Sequence, residues 1–435
     1  MSDILTDLRW RGLIAQSTDS QSLDRALREG PVTFYGGFDP TAPSLHVGHL
    51  VLILTMRRLQ DAGHRPLALV GGATGMIGDP REVGERSLNS PEVVAGWVER
   101  IRAQIQPLLD FEGDNPAQMV NNLDWTENLS AIDFLRDVGK HFRLGTMLAK
   151  DVVARRLRSE EGISYTEFSY QVLQAMDFLE LFRRESCTLQ VGGNDQWGNL
   201  LAGVELIRKD EGAGAHALTT PLITKSDGSK MGKSEGGAIW LDPQLTSPYA
   251  FYQFWVNTAD ADVVRYLKVF TFRSREQIEE LAEDLAQRPQ ARAAQQALAA
   301  DVTTLLHGRA ATDAAITASQ ALFGRADLQD LDETTLRDVV AEIPAGTVDV
   351  GQATIIDALV ASGLSTGRNA ARRTVAEGGA YLNNVKVSDP DRILTEADLL
   401  AGTAALVRRG RRNVAAVRRV QAGHQAPRAT AQTRA

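Results

Sequence analysis

The sequence predicts an α/β protein: a doubly wound, mostly parallel sheet, then an all-helical stretch, then a small α+β unit. Three observations predict it. Residues 31 to 75 run strand, turn, helix, strand; residues 247 to 323 are rich in Ala, Leu, Glu and Arg at helical spacing; and residues 351 to about 420 form a compact, basic, mixed segment. At 435 residues the chain has room for two or three cores, because domains cluster at roughly 100 to 200 residues. Apolar content of 43% and charged content of 23% are ordinary for a soluble globular protein. No run approaches the ~18 apolar residues of a membrane span.

The first element is the apolar extended run at 32 to 35. A Gly/Pro turn follows, then a helical stretch from about His49 to Ala62, then an apolar run at 66 to 70 closed by Gly71 and Gly72. Parallel strands joined in this way need a right-handed crossover, which is the unit of a Rossmann-like sheet. Such sheets bind ligands beyond the carboxyl ends of their strands, so residues 35 to 49 and 71 to 86 are expected to line a site. Helical patterns dominate to about residue 185, a strand-like stretch occupies 188 to 193, and another helix is expected from about Asp195. Residues 224 to 237 have no period and read as a long flexible loop. The expected division is a Rossmann-like domain with a helical insertion over 1–223, a loop and linker over 224–246 and a helical domain over 247–323. A connector over 324–350, a small domain over 351–420 and a disordered tail over 421–435 complete it.

The net charge of −8 hides an asymmetry. From residue 351 onward there are 13 Lys/Arg against 6 Asp/Glu, a net of +7, which leaves −15 on the rest. This fits a basic appendage for a polyanion on an acidic body, or a solubilising basic surface. The one cysteine, Cys187, excludes an internal disulfide. It stands before an apolar-alternating run and reads as a small buried residue rather than a nucleophile. Seven scattered histidines give little material for structural zinc. The first residues lack a basic segment followed by an apolar core, so a cytoplasmic location is expected.

Residues 37 to 49, Gly-Phe-Asp-Pro-Thr-Ala-Pro-Ser-Leu-His-Val-Gly-His, place His46 and His49 three apart at a helix start. Unpaired N–H groups and positive potential there suit a phosphate. A bare HxxH fits metal ligation or packing as well. In its longer context the stretch resembles the HIGH signature of class I aminoacyl-tRNA synthetases, whose short form nucleotidyltransferases of the same fold share. A second stretch, Lys230-Met231-Gly232-Lys233-Ser234, resembles the KMSKS loop of that class, about 180 residues later in the order the class requires. It is not a P-loop, because Asp227 stands where the earlier glycine should. The resemblance implies that His46, His49 and Thr41 meet ATP phosphates while Lys230, Lys233 and Ser234 close on departing pyrophosphate. ATP is then a substrate, with Mg2+ carried on it and no dedicated metal site. An amino-acid carboxylate attacking the α-phosphate needs positioning and electrostatic stabilisation rather than a covalent nucleophile.

Residues 170 to 178, Tyr-Gln-Val-Leu-Gln-Ala-Met-Asp-Phe, put Tyr170, Gln174 and Asp177 on one helix face. Apolar neighbours surround Asp177, and a carboxylate so placed needs a partner. Here the chain resembles the bacterial tyrosyl-tRNA synthetase family. The resemblance implies that Tyr35 and Asp177 hold the phenolic hydroxyl of L-tyrosine, and that Tyr170, Gln174 and Asp79 take its ammonium. Gln190 and Gln196 would place the substrate, and Gly37, Asp39, Gly193, Asp195 and Lys233 would hold ATP. Arg86 matches a family arginine, whereas a lysine usual before it is absent and Arg81 is the candidate substitute. No editing domain is expected, since a site built around a hydroxyl rejects the analogue lacking it; selection of tyrosine over phenylalanine is itself the standard instance of this rule.

In the last unit, Arg368, Arg372 and Arg373, expected on one helix face, together with a β-turn near 383, resemble a small RNA-binding fold named after a ribosomal small-subunit protein. Phosphate contacts of that kind bind structured RNA with strong salt dependence. The resemblance implies tRNA as partner, a helical domain on the anticodon side, and a homodimer. Three rivals remain. A tryptophanyl enzyme shares the fold, a small-molecule nucleotidyltransferase would use the HxxH site, and a catalytically retired RNA-binding protein should have lost more of the site residues.

Overall fold

Strands β1 (Gln16–Ser17), β2 (Thr33–Phe38), β3 (Arg65–Val70), β4 (Gln118–Asn121), β5 (Cys187–Gly193) and β6 (His216–Thr220) form one sheet, ordered β1-β6-β5-β2-β3-β4. Only β1 is antiparallel to its neighbour. The structure, a computed structural model, describes residues 3–80, 88–229, 231–234, 237–323, 326–328, 331–410 and 413–420, with Asp151, Lys233 and Ser234 described by backbone alone. Arg81, Arg86 and Lys230 therefore lie outside the described residues. Strand order reverses between β2 and β5, and that crevice is where a doubly wound sheet receives its ligand. β3 is buried almost throughout, as expected for a parallel strand covered on both faces.

The helix after β2 is Val47–Asp61, starting two residues earlier and ending one residue earlier than its pattern suggests, and it buries Leu50, Ile53, Leu54 and Met56. The helix Tyr165–Glu185 begins at Ser164, whose side chain accepts from the Glu167 N–H, and ends where Ser186 turns left-handed. The helix expected from Asp195 starts as a short tight turn and becomes regular at Trp197–Asp210. β4 was not legible in the sequence: it has two apolar residues, and none of its four is fully buried.

The chain forms two units, one of Met1–Thr246 with Trp255–Leu306, the other of Ser247–Phe254 with the residues from His307 onward. The stretch expected to be a helical domain is helical (Pro248–Val256, Asp260–Phe270, Arg275–Gln287 and Ala293–Ala321, the last interrupted at Gly308), but it is shared between these units.

The stretch 324–350, expected as a connector, carries a helix, Glu333–Glu342, and strand β9 (Ala345–Val348). β9 completes a five-stranded sheet with β10 (Ala380–Leu382), β11 (Val385–Lys386), β12 (Ala404–Arg409) and β13 (Asn413–Arg419), ordered β11-β10-β12-β13-β9. Helices Ile355–Ala361 and Arg368–Ala376 pack Leu359, Ala371 and Val375 onto Leu382, Val407 and Val417 of that sheet. Asn383 and Asn384, at φ 46° and 66°, form the turn between β10 and β11, the residue type that left-handed hairpin turns favour.

Candidate functional site

The phosphate-facing end begins where the chain enters the helix Val47–Asp61. Residues 45 to 47 pair in extended form with 239 to 241: Leu241 N–H donates to the Leu45 carbonyl at 2.8 Å and Val47 N–H to the Ile239 carbonyl at 3.0 Å. His46 caps the helix, its Nδ1 accepting the Gly48 N–H at 3.1 Å, while His49 Nδ1 accepts the His46 N–H at 3.1 Å. The two rings lie 4.1 Å apart. With each Nδ1 an acceptor, the ring proton of the neutral imidazole is on Nε2, so each side chain offers an N–H donor. Burial, and then the neighbouring His46, hold His49 down to about 3. Donors of this kind fit phosphate oxygens, whereas ligating a metal through Nδ1 would break the backbone bonds; packing and phosphate binding are compatible readings here, and metal ligation is not.

The described residues between 224 and 237 are less free than their lack of period suggests. Lys233–Ser234 (β7) and Gly237–Ala238 (β8) form a two-stranded ribbon. Ser226 N–H and Oγ both donate to Asp262 Oδ2 at 3.0 and 3.1 Å. Gly232 has φ 85°, and a Cβ there would fall 2.6 Å from Val47 Cγ2. Glycine is therefore required both by the left-handed backbone and by the close approach of this loop to the HVGH segment.

Tyr35 on β2 and Gln190 on β5 are register partners. Both are buried, and neither Tyr35 OH nor Gln190 Oε1 has a hydrogen-bond partner. Buried polar groups without a protein partner are nearly always completed by water, an ion or a ligand, and this pair lies side by side at the crevice. Burial, and then Asp177, hold the Tyr35 hydroxyl well above the ordinary phenol range. Asp177, 2% exposed, accepts from Asn122 Nδ2 at 3.0 Å and from Trp125 Nε1 at 2.9 Å. Burial nevertheless pushes its carboxyl up to about 7, against those two donors, with Asp39 and Glu180 adding to the rise.

Tyr170 OH donates to Asp39 Oδ2 at 2.5 Å, and Thr74 Oγ1 donates to Asp39 Oδ1 at 2.7 Å. Asp79 accepts from Gln196 Nε2 at 2.8 Å and Asn199 Nδ2 at 3.3 Å. Asn199 also donates to Gln174 Oε1 at 3.0 Å and accepts from Lys150 Nζ at 2.9 Å. Burial raises the Asp79 carboxyl and lowers the Lys150 ammonium to about 8, offset in part by Asp79. A carboxylate held by neutral amides in a half-dry crevice is suited to a substrate cation.

Of the sequence candidates, Tyr35, Asp39, Asp79, Tyr170, Gln174, Asp177, Gln190 and Gln196 thus come together around the carboxyl ends of β2 and β5. Gly37 is the penultimate residue of β2, and Gly193 ends β5 so close to Asp195 that a Cβ there would meet its Oδ1 at 2.5 Å. Thr41 is exposed, its N–H on the Asp39 carbonyl at 2.9 Å. Sequence reasoning missed Thr74, Asn122, Trp125, Lys150 and Asn199. Asn122 and Lys150 stand just before helices, Thr74 and Trp125 lie in single short turns and Asn199 near the start of a helix; each acts through a distant contact, which no local period reveals.

In the second unit one expectation fails. At 100° per residue Arg368 and Arg372 share a face of the helix Arg368–Ala376, but Arg373 stands about 140° from Arg368. Arg368 is ion-paired with Asp357, whereas Arg373 lines a cleft of about 550 Å³ with Thr374, Glu377, Arg409 and Asn413.

Comparison with known proteins is consistent with this geometry. The family model for class I tRNA synthetases (W and Y) matches residues 27–324, and that for a tyrosine–tRNA ligase SYY-like C-terminal domain matches 335–417. The second match begins within the helix Glu333–Glu342, not at 351. A Streptomyces coelicolor protein named tyrosine–tRNA ligase is 62% identical over 418 residues, 96% of this chain and 99% of that one. A Mycobacterium bovis protein of the same name is 58% identical over 425 residues, with 96% and 99% covered. Among solved structures, a C-terminally truncated Aspergillus nidulans mitochondrial tyrosyl-tRNA synthetase superposes with a TM-score of 0.68 at 32% identity, covering 74% of this chain and 95% of that one. A Plasmodium falciparum tryptophanyl-tRNA synthetase, at 12% identity and a TM-score of 0.51 over 77% and 87% of the two chains, shares the fold alone.

Proposed function

The chain belongs to the tyrosine–tRNA ligase family of class I tRNA synthetases, and we propose the division of labour by which its residues activate tyrosine with ATP and pass it to the 3′ end of tRNA. The observation that carries the residue assignment is the buried, partnerless Tyr35 hydroxyl beside Asp177 at the point where strand order reverses. A phenol entering there donates to Asp177 and accepts from Tyr35. Purified protein should exchange labelled pyrophosphate into ATP with tyrosine and Mg2+, and not with tryptophan or phenylalanine. Exchange with tryptophan alone would overturn the pocket.

The tyrosine ammonium lies against Asp79, Gln174 and the Tyr170 oxygen, with Gln190 and Gln196 placing the rest of the amino acid. ATP lies across the crevice, its ribose on Gly193 and Asp195 and its phosphates toward Thr41 and the Nε2–H groups of His46 and His49. Gly37 and Asp39 border it. The carboxylate oxygen of tyrosine attacks the α-phosphorus and the bond to pyrophosphate breaks, so negative charge gathers between the imidazoles and the loop bearing Lys230, Lys233 and Ser234. Arg86 adds charge at that end. Loop closure supplies cations when the transition state needs them, which is differential stabilisation. Mg2+ is proposed to enter on the ATP phosphates.

The state of Asp177 gives a pH dependence with a definite sign. Because its carboxyl is held up to about 7, it is an acceptor for the phenolic O–H above that pH and is protonated below it. KM for tyrosine should rise as pH falls through 7, approaching about tenfold per unit below pH 6, and Asp177→Asn should flatten the profile. A wild-type KM that stays level from about pH 5.5 to 8.5 would contradict this role.

Arg368, Arg372 and Arg373 with the neighbouring Arg409 are proposed to contact tRNA phosphates. A homodimer is supported by apolar side chains left in solvent between residues 130 and 165: Ile132 is 69%, Leu144 66% and Tyr165 70% exposed. No helix among the described residues is long and apolar enough to cross a membrane, and a cytoplasmic location is proposed.

A further inference from the structure

One hydrogen-bonded chain runs through the interior from the ammonium end of the site to the phenol end. Asn122 is fully buried, and its amide is oriented by the Ala73 N–H, which donates to Oδ1 at 2.7 Å. Both hydrogens of Nδ2 are therefore aimed, one at Asp177 Oδ2 (3.0 Å) and one at Thr74 Oγ1 (2.9 Å). Thr74, 2% exposed, gives its single hydroxyl hydrogen to Asp39 Oδ1 (2.7 Å), and Asp39 Oδ2 takes the Tyr170 hydrogen (2.5 Å). Every proton in the chain has one place, so its polarity is set: with its hydrogen on Asp39, Tyr170 presents a lone pair toward an incoming ammonium.

The chain is built at some steric cost. A Cβ on residue 71 would fall 2.2 Å from both Asp39 Oδ1 and Thr74 Oγ1, and one on residue 72 would fall 2.4 Å from Asn121 Oδ1. Gly71 and Gly72 leave β3 so that the backbone can pass this close to the bonded pairs. Neither Thr74 nor Asn122 takes part in the reaction scheme above.

We propose that Thr74 and Asn122 are positioning residues that join Asp177 to Asp39 and Tyr170, so that the fit of the substrate's ring hydroxyl at one end tightens the grip on its ammonium at the other. The proposal rests on the reading that Asp177 and Tyr35 hold that hydroxyl. Tyrosine, by engaging Asp177, holds the relay in its bonded arrangement; phenylalanine leaves that end slack.

The test is the Thr74 series, assayed by pyrophosphate exchange with tyrosine and with phenylalanine at high enzyme concentration. T74V and T74A should each lower kcat/KM for tyrosine by about tenfold, the size of one buried hydrogen bond, and lower that for phenylalanine by less than about threefold, so that the preference falls. T74S, which restores only the hydroxyl, should recover most of the preference. Equal losses for both substrates in T74V and T74A, or no loss for either, would overturn the relay. Should T74V not fold, as judged by its melting temperature, the T74A and T74S pair, differing by one hydroxyl, carries the comparison alone. Y35F run beside them separates the two ideas: if Y35F leaves the preference intact the pocket reading fails, whereas a preference lost in Y35F and kept in T74A removes the relay only.

Discussion

Asp177→Asn lowers kcat/KM for tyrosine by on the order of a hundredfold while leaving that for phenylalanine within a few-fold. The carboxylate offers two oxygens, already met by Asn122 Nδ2 and Trp125 Nε1, with lone pairs left for a phenol. An amide keeps one oxygen and replaces the other with an N–H2 group, so one of those two donors then faces another donor. The phenol loses a hydrogen bond to a charged acceptor, about 1.5 to 3 kcal/mol, and a buried donor is left unmatched. Tyr35→Phe has a smaller effect, about tenfold, because it removes a neutral bond. It also relieves a hydroxyl that is orphaned whenever phenylalanine occupies the site, so phenylalanine activation should improve. Steady-state exchange with both amino acids checks the pair. A D177N variant that loses both substrates equally would mean that Asp177 supports the fold and does not read the ring.

Truncation after Phe323 keeps pyrophosphate exchange within about threefold and lowers tRNA charging by about a hundredfold or more. Three phosphate contacts at about 1 kcal/mol each already correspond to that loss, and charging by the full chain should weaken steeply with salt. The position of the cut matters. Cutting after Val350 would leave β9 without β13, its parallel partner from Ala345 to Val348, and would strip the Val340 carbonyl of the Arg418 guanidinium. That product should melt at a lower temperature than the one ending at Phe323, with an exposed edge strand prone to association. Undiminished charging by the shorter product would remove the role given to the arginines of the second unit.

The sequence disclosed those parts whose signal is local. β2, the helix Val47–Asp61 and β3 follow one another with clear changes of period, and Tyr170, Gln174 and Asp177 share a face because a long helix carries them. β4 was hidden by its short, half-polar composition. β9 was hidden because Ala-Gly-Thr-Val between two polar stretches has no alternation, and only pairing with residues about 70 positions later makes it a strand. Thr74, Asn122 and Lys150 escaped for the same reason. Each stands at the edge of a short turn or helix with no periodic signal of its own, and what distinguishes it is the partner it meets 35 to 55 residues away. Resemblance to a family reached the residues expected to touch substrate and stopped short of the buried amides and hydroxyls that orient them.

The backbone lock on the two imidazoles bears on how the enzyme meets acid stress. His49, held neutral by burial down to about 3, should gain no charge when the medium acidifies by a unit or two, so the contact proposed for it with ATP phosphate should keep its N–H donor. The Asp177 carboxyl, proposed to read the substrate ring, begins to fill with protons over the same interval. Acidification would thus throttle tyrosine incorporation through appetite for the amino acid, and a richer tyrosine supply would restore the rate.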